Sequence, residues 1–284
     1  MSQSVFEPMP PLERAAFKER YLEHLRRRNG EPDRAHRRFS VREAFFKEID
    51  EHPVRRTGPP VVDQAAFDRY QALHHPAAGL DAAMLWALAV AKSNRSERYG
   101  VEYGLEHSQR GLNTSDPMAY IEIEEFYHTR ILEDVVHTLG VDMKMMDPHP
   151  LTAFFVRLMV VLPEPLANVL IFCGELAGVA VFRLLLEKAR ELFADQPEPL
   201  RRMETLFRQI IVDEVGHVHN VRSLLGPLRL RFAKLILPAF TYYFLSDIPE
   251  LTLLFGRERL MSTILAGEVD KAAQDYPERL PVAA

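Results

Sequence analysis

Two short strings in this chain set acids and histidines at a metal-binding spacing. Glu124-Glu125-Phe126-Tyr127-His128 and Asp213-Glu214-Val215-Gly216-His217 each read acid-Glu-x-x-His. On an α-helix, residues three apart share a face, so each string points one carboxylate and one imidazole at the same spot. Two such helices facing each other, with one more Glu from each of two further helices, supply the ligands of a dinuclear iron or manganese carboxylate centre in a four-helix bundle.

Forty acidic residues and 11 His in 284 positions give roughly 1.5 chance matches to acid-x-x-His, and the chain has four. Two of them read as background. Asp33 and His36 lie in an Arg-rich, Pro-containing stretch. Asp134 and His137 lie on the helix of Glu125 but nine residues on, which at about 100° per residue is the opposite face, so they read as surface. Only the strings at 125 and 214 begin with Glu. A third element supports them: Glu175 is the only charge in the apolar run 169–182. A lone buried carboxylate is costly unless it is paired or metal-bound. Metal ligation is the reading adopted here, with a protonated core Glu, or a pair with Arg183, as the alternative.

These residues need helices to hold them, and nearly the whole chain reads helical, with no convincing period-2 alternation. An amphipathic helix over 11–29 stops near Gly30. Residues 30–38 read as an Arg-rich loop. Ser40 with Glu43 reads as a capping box for a helix to about 51. Short helix 62–75 follows a linker. The bundle helices are then expected at about 80–110, 116–140, 165–194 and 198–225, with Asp116-Pro117 as N-cap and first residue of the second. The long connection 141–163, with its own apolar piece at 151–162, suits a crossover between two helix pairs. Two or three helices follow in 228–274, rich in Leu, Phe and Tyr. Residues 228–256 of that segment could wall a channel for an apolar substrate, although ordinary helix packing is the somewhat simpler account. The expected division is a helical extension at 1–79 packing on the bundle, the bundle at 80–225, and C-terminal helices of the same domain at 226–284.

The first bundle helix must supply the fourth carboxylate, from Glu97, Glu102 or Glu106. Reflection about a loop at 111–116 favours Glu102 as the residue level with Glu125. Amphipathicity favours Glu97, whose helical neighbours Trp86, Val90, Asn94, Val101 and Gly104 form a mostly apolar stripe, whereas Glu102 sits among Arg95, Arg98, Leu105 and Glu106. A ligand must face the core, so Glu97 is preferred, with Glu102 as its substitute. In the second helix pair, the same reflection places Glu175 within a turn of Glu214 and excludes Glu187.

The remaining composition narrows the function classes. The 47% apolar content is ample for a core, and a net charge of -5 argues against a general nucleic-acid binder. The one cysteine, Cys173, reads as a packed core thiol and fits a reducing cytoplasm. No signal peptide is evident at the N-terminus. Residues 166–186 are long enough to span a bilayer, but Glu175 and Arg183 favour a buried bundle helix over stable membrane insertion. The cluster Arg26, Arg27, Arg28, Arg34, Arg37 and Arg38 reads as solvated surface.

Over about residues 80–225, the two Glu-x-x-His strings and the Glu in each preceding helix resemble the ferritin-like diiron-carboxylate superfamily. The resemblance implies an all-α, ferritin-like four-helix bundle with a long crossover and extra N- and C-terminal helices. It implies two Fe ions, with Mn or a mixed site as variants, held by Glu97, Glu125, His128, Glu175, Glu214 and His217. It also implies that Asp213 orients His128 and Glu124 orients His217, fixing the imidazole tautomers. The pattern is similar to multicomponent monooxygenases, acyl-carrier desaturases, aldehyde-deformylating oxygenases and ferritins. Arylamine N-oxygenases carry a further ligand His where this chain has Ile210, and His219 points about 200° away from His217. The implied activity is that of an O2-activating oxidoreductase that hydroxylates, desaturates or N-oxygenates a small or apolar organic substrate. Such an enzyme needs an external electron donor, and a homodimer is allowed. Iron oxidation and storage, or a metal-free helical scaffold, are the competing readings.

Overall fold

Proline and glycine punctuate this chain, and the helices follow them. The computed structural model describes residues 4–30, 32–33, 38–55, 61–75, 79–107, 115–269 and 271, leaving aside the side chains of 105–107. In order these form α1 (Pro11–Asn29), β1 (Pro32–Asp33), β2 (Arg38–Phe39), α2 (Ser40–Glu51), α3 (Gln64–Gln71), α4 (Ala82–His107), α5 (Pro117–His137), α6 (Pro150–Val161), α7 (Glu164–Leu192), α8 (Pro197–Leu224), α9 (Pro227–Asp247), α10 (Pro249–Phe255) and α11 (Arg257–Ala266). Seven of these helices carry Pro in the first turn, where a missing N–H costs nothing. Asp116 caps α5 by accepting from the Met118 N–H. The chain is therefore predominantly helical. The one departure from all-helix is a two-residue antiparallel pair in which Pro32 faces Phe39.

Two local readings of the N-terminal segment are corrected. Phe39, not Ser40, is the N-cap of α2, and no side chain caps it. Glu43 instead accepts from the Tyr127 hydroxyl at 2.7 Å, so a tertiary contact takes the side chain that a capping box would have used. His36, Arg34, Arg37 and Gly111 lie outside the described residues.

Four long helices pack in a ring: α4 on α5, α5 on α8, α8 on α7, and α7 on α4. α1 leans on α5 and α8, α6 on α4 and α7, α9 on α7, and α10 on α4. One hydrophobic cluster runs from Val5 to Val269. Trp86 is fully buried in it, edge-on to Phe193 and Phe207, and donates its indole N–H to the Leu185 carbonyl at 2.8 Å. α7 is apolar and long enough to cross a membrane, but 67% of its most apolar window is buried within the fold. Cys173 lies inside this core, where burial pushes its thiol up to about 12.

A buried ion pair ties α10 to α4: Lys92 Nζ donates to Glu250 Oε1 at 2.5 Å, both side chains about 1% exposed. Burial pulls Lys92 below its ordinary value and Glu250 partly restores it. Lys92→Met should cost about 3–5 kcal/mol in chemical denaturation, because it strands a buried carboxylate. The double variant Lys92→Met/Glu250→Leu should recover most of that loss.

Candidate metal centre

Glu125 and His128 face the interior of the ring from α5, and Glu214 and His217 face it from α8. The two strings meet. Glu125 lies between both imidazoles, with Oε2 at 3.2 Å from His128 Nδ1 and Oε1 at 2.8 Å from His217 Nδ1. Glu214 Oε1 approaches His128 Nδ1 at 3.4 Å, and Glu175 Oε2 approaches His217 Nδ1 at 3.4 Å. Two groups result, each compact enough for one ion and sharing Glu125: Glu125, Glu175, Glu214 and His217, and Glu97, Glu125 and His128.

Glu97 thus lies in the cluster, whereas the Glu102 side chain is 57% exposed and pairs with Arg98 at 3.4 Å. The reason is the buried stripe through Trp86, Val90, Asn94 and Val101, which continues to Glu97. The Glu106 side chain lies outside the described residues. Glu187 is exposed and pairs with Arg259. His219 packs against Phe17, and the pair Asp134–His137 lies apart from the cluster, with His137 also near Asp142.

The far side of each imidazole is held as well. His128 Nε2 lies 3.2 Å from Asp213 Oδ2, and His217 Nε2 lies 3.0 Å from Glu124 Oε2. With each Nε2–H donated to a carboxylate, each Nδ1 lone pair is left for the interior. Neither Nδ1 has a hydrogen-bond partner of acceptable geometry, and neither does Glu125 Oε1. Buried polar atoms seldom stay unsatisfied without a reason, and an ion between them is such a reason. Space is conserved for the same groups. A Cβ at Gly178 would sit 2.6 Å from Glu214 Oε2, and one at Gly216 would sit 2.8 Å from the Tyr21 ring.

A further layer was not foreseen. Arg42 Nη2 donates to both Asp213 oxygens at 2.7 Å and lies 3.5 Å from Glu124 Oε1. Arg28 Nε donates to Asp213 Oδ1 at 2.5 Å. Asn29 donates to Glu124 Oε1 at 2.7 Å and accepts from Arg42 Nε at 2.8 Å. Arg28, read as surface, is only 9% exposed, and Arg42 only 2%. Arg42 shares α2 with Lys47 and four acids, and sequence spacing offered no signal for it. No family model, no curated protein and no solved structure matches this chain.

A cavity of about 710 Å³ adjoins the cluster, and Glu97, Glu125, Glu175 and Glu214 form part of its wall. Its other walls are mainly apolar. Val156 and Met159 of α6, with Phe240 and Phe244 of α9, line it, so the Phe-rich C-terminal segment does wall a channel.

Electrostatics in the metal-free cluster follow from crowding. Burial raises Glu97 well above its ordinary value, and Glu125 and Glu214 add to the shift. Burial and Glu175 do the same to Glu214. Burial opposes protonation of His128 and His217, but Glu125 and Asp213 on the first, and Glu124 and Glu125 on the second, outweigh it and hold both well above 6.5. Against burial, His128 and His217 depress Glu125, and Arg28 and Arg42 depress Asp213.

Two outcomes follow. In metal-free protein, stability from the raised groups is complete below their ordinary values of 4.5 for Glu and 6.5 for His, and is lost as pH climbs toward their folded-state values. Glu125 and Asp213 act oppositely, their contribution being lost only as pH falls through their depressed values. Melting temperature with chelator should therefore decline as pH rises above 4.5 and further as it rises above 6.5, while the stabilisation by added divalent metal grows, since binding displaces these protons. Separately, Arg42→Met should lower metal affinity about 10–100-fold in competition titrations, because it frees the carboxylate that orients His128.

Proposed function

We propose that this chain is a ferritin-like non-haem dinuclear iron oxygenase acting on an apolar organic substrate. The observation that carries the reading is the pair of unsatisfied imidazole Nδ1 atoms converging on four carboxylates at the wall of an apolar cavity. The donor set fits two divalent ions. Arg28 and Arg42 offset the charge of Asp213 and Glu124, leaving four inner carboxylates to balance two doubly charged cations. Glu97 and His128 would hold one ion and Glu175, Glu214 and His217 the other, with Glu125 within reach of both. When bound, a ferrous pair would supply electrons to O2, which is the oxidant of the substrate.

The chain's own residues do the rest. Asp213 and Glu124 hold the imidazoles in one tautomer through their Nε2–H groups. The apolar walls from α6 and α9 exclude bulk water and receive the substrate beside the carboxylates. A cavity of this size distinguishes the oxygenase reading from iron storage, which needs a path for ions and not a pocket for an organic molecule. Reducing equivalents would come from an external donor.

Anaerobic loading with Fe(II) should yield about two ions per chain, and the loaded protein should consume O2 on mixing. Glu175→Ala should lose metal and activity, while Glu187→Ala, whose exposed side chain pairs with Arg259, should behave as the parent. Metal content near zero after loading would overturn the reading.

A further inference from the structure

The polar groups of the cavity wall are almost all accounted for. The inner carboxylates belong to the metal cluster. Ser93 donates to the Ala89 carbonyl, and Ser96 donates to Asp247. Asn168 of α7 differs. It is 7% exposed and lines the cavity, and among the described residues its carboxamide makes no hydrogen bond. Its amide is not sealed in the core but faces the cavity, so its donors and acceptor are open to whatever enters there.

Its position is informative. Asn168 precedes Glu175 by seven residues, two helical turns, so the two side chains share one face of α7 about 10 Å apart along its axis. Gly174 lies between them on the cavity wall, and Gly100 and Gly104 line the facing side from α4. A Cβ at either of the last two would meet nothing within 4 Å, so the cavity is wide there. The wall also carries Glu122 and Glu164 besides the four cluster carboxylates, and no Lys, Arg or His among the described residues. An anionic head group would be repelled. A cationic one would be drawn to these acids and not to Asn168, so the group that Asn168 itself can hold is a neutral one.

We propose that Asn168 is the polar anchor of a substrate site for an uncharged amphiphile. Its one hydrogen-bonding group, a carboxamide or similar neutral carbonyl, rests on Asn168. Its apolar part runs along α7, so that the position about 10 Å from that carbonyl lies beside Glu175. The fate of that position rests on the oxygenase reading, but the binding does not.

The test uses full-length protein under anaerobic conditions, where no turnover occurs. Four straight-chain probes of equal length are titrated by displacement of a fluorescent apolar dye: a primary amide, the alkane, the ammonium and the carboxylate. The amide should bind tightest. Asn168→Leu should weaken it roughly tenfold and leave the alkane unchanged, which also reports that the variant is folded. Asn168→Gln should retain part of the amide preference. Equal amide binding in parent and Asn168→Leu protein, tighter binding of either charged probe, or no binding of any probe would each overturn the proposal. With iron and O2 supplied, product from the amide should be oxidised about 10 Å from the carbonyl, and Asn168→Leu should scatter that position. Amide-selective binding without any turnover would leave the anchor standing and remove the oxygenase reading instead.

Discussion

The structure depends on keeping six acids and two imidazoles charged or protonated inside an apolar ring of helices. Isolated charges there would unfold the protein, since marginal stability cannot absorb several unpaired buried ions. Each acid is therefore answered by something. Asp213 has Arg28, Arg42 and His128, and Glu124 has Asn29, Arg42 and His217. The inner four are answered only by the imidazoles and by protons held under crowding. The imbalance is greatest where the unsatisfied Nδ1 atoms converge, and that is where the groups lie close enough to hold an ion.

This requirement reaches beyond the four-helix ring. Four helices suffice to position the Glu-x-x-His pairs, yet both arginines come from outside the ring, on α1 and α2. Tyr127 holds α2 in place, accepting from the Phe39 N–H at 3.0 Å and donating to Glu43. Gly216 lets Tyr21 of α1 close against α8. The N-terminal extension is thus continuous with the electrostatics of the cluster. On the opposite side, α6 and α9 cover the ring without filling it, and the cavity is what remains between them.

A second buried ion network follows a different logic. Lys92 with Glu250, and Arg95 with Asp247 at 3.6 Å, pair two cations with two acids between α4 and the C-terminal helices. Its formal charges cancel, two cations against two acids, and this balance fastens the elements together, although the Arg95 guanidinium, Asp247 Oδ1 and Glu250 Oε2 lack hydrogen-bond partners of acceptable geometry. The Glu and His cluster instead holds more acids than cations, close enough together for an ion.

The legible part of this protein was local. Glu125, His128, Glu214 and His217 are read from spacing on helices that Pro and Gly delimit, and Glu175 from its isolation in an apolar run. Helical periodicity alone decides which of these residues share a face. Glu97 was half-legible: its apolar stripe marked it, but helix ends too uncertain for reflection left Glu102 beside it. Arg28, Arg42 and Asn29 were illegible because their partners lie some 80 to 185 positions away in sequence. Arg28 also resembled its solvated neighbours until α1 turned it toward α8. The same holds for Ser40 and Glu43, whose cap signature was overridden by a contact with Tyr127. Sequence by itself determined the inner donors, since their geometry is set within one helix turn. Only the tertiary structure decided the outer charges, the cavity and the unpaired Asn168 amide, since each depends on which helices pack together.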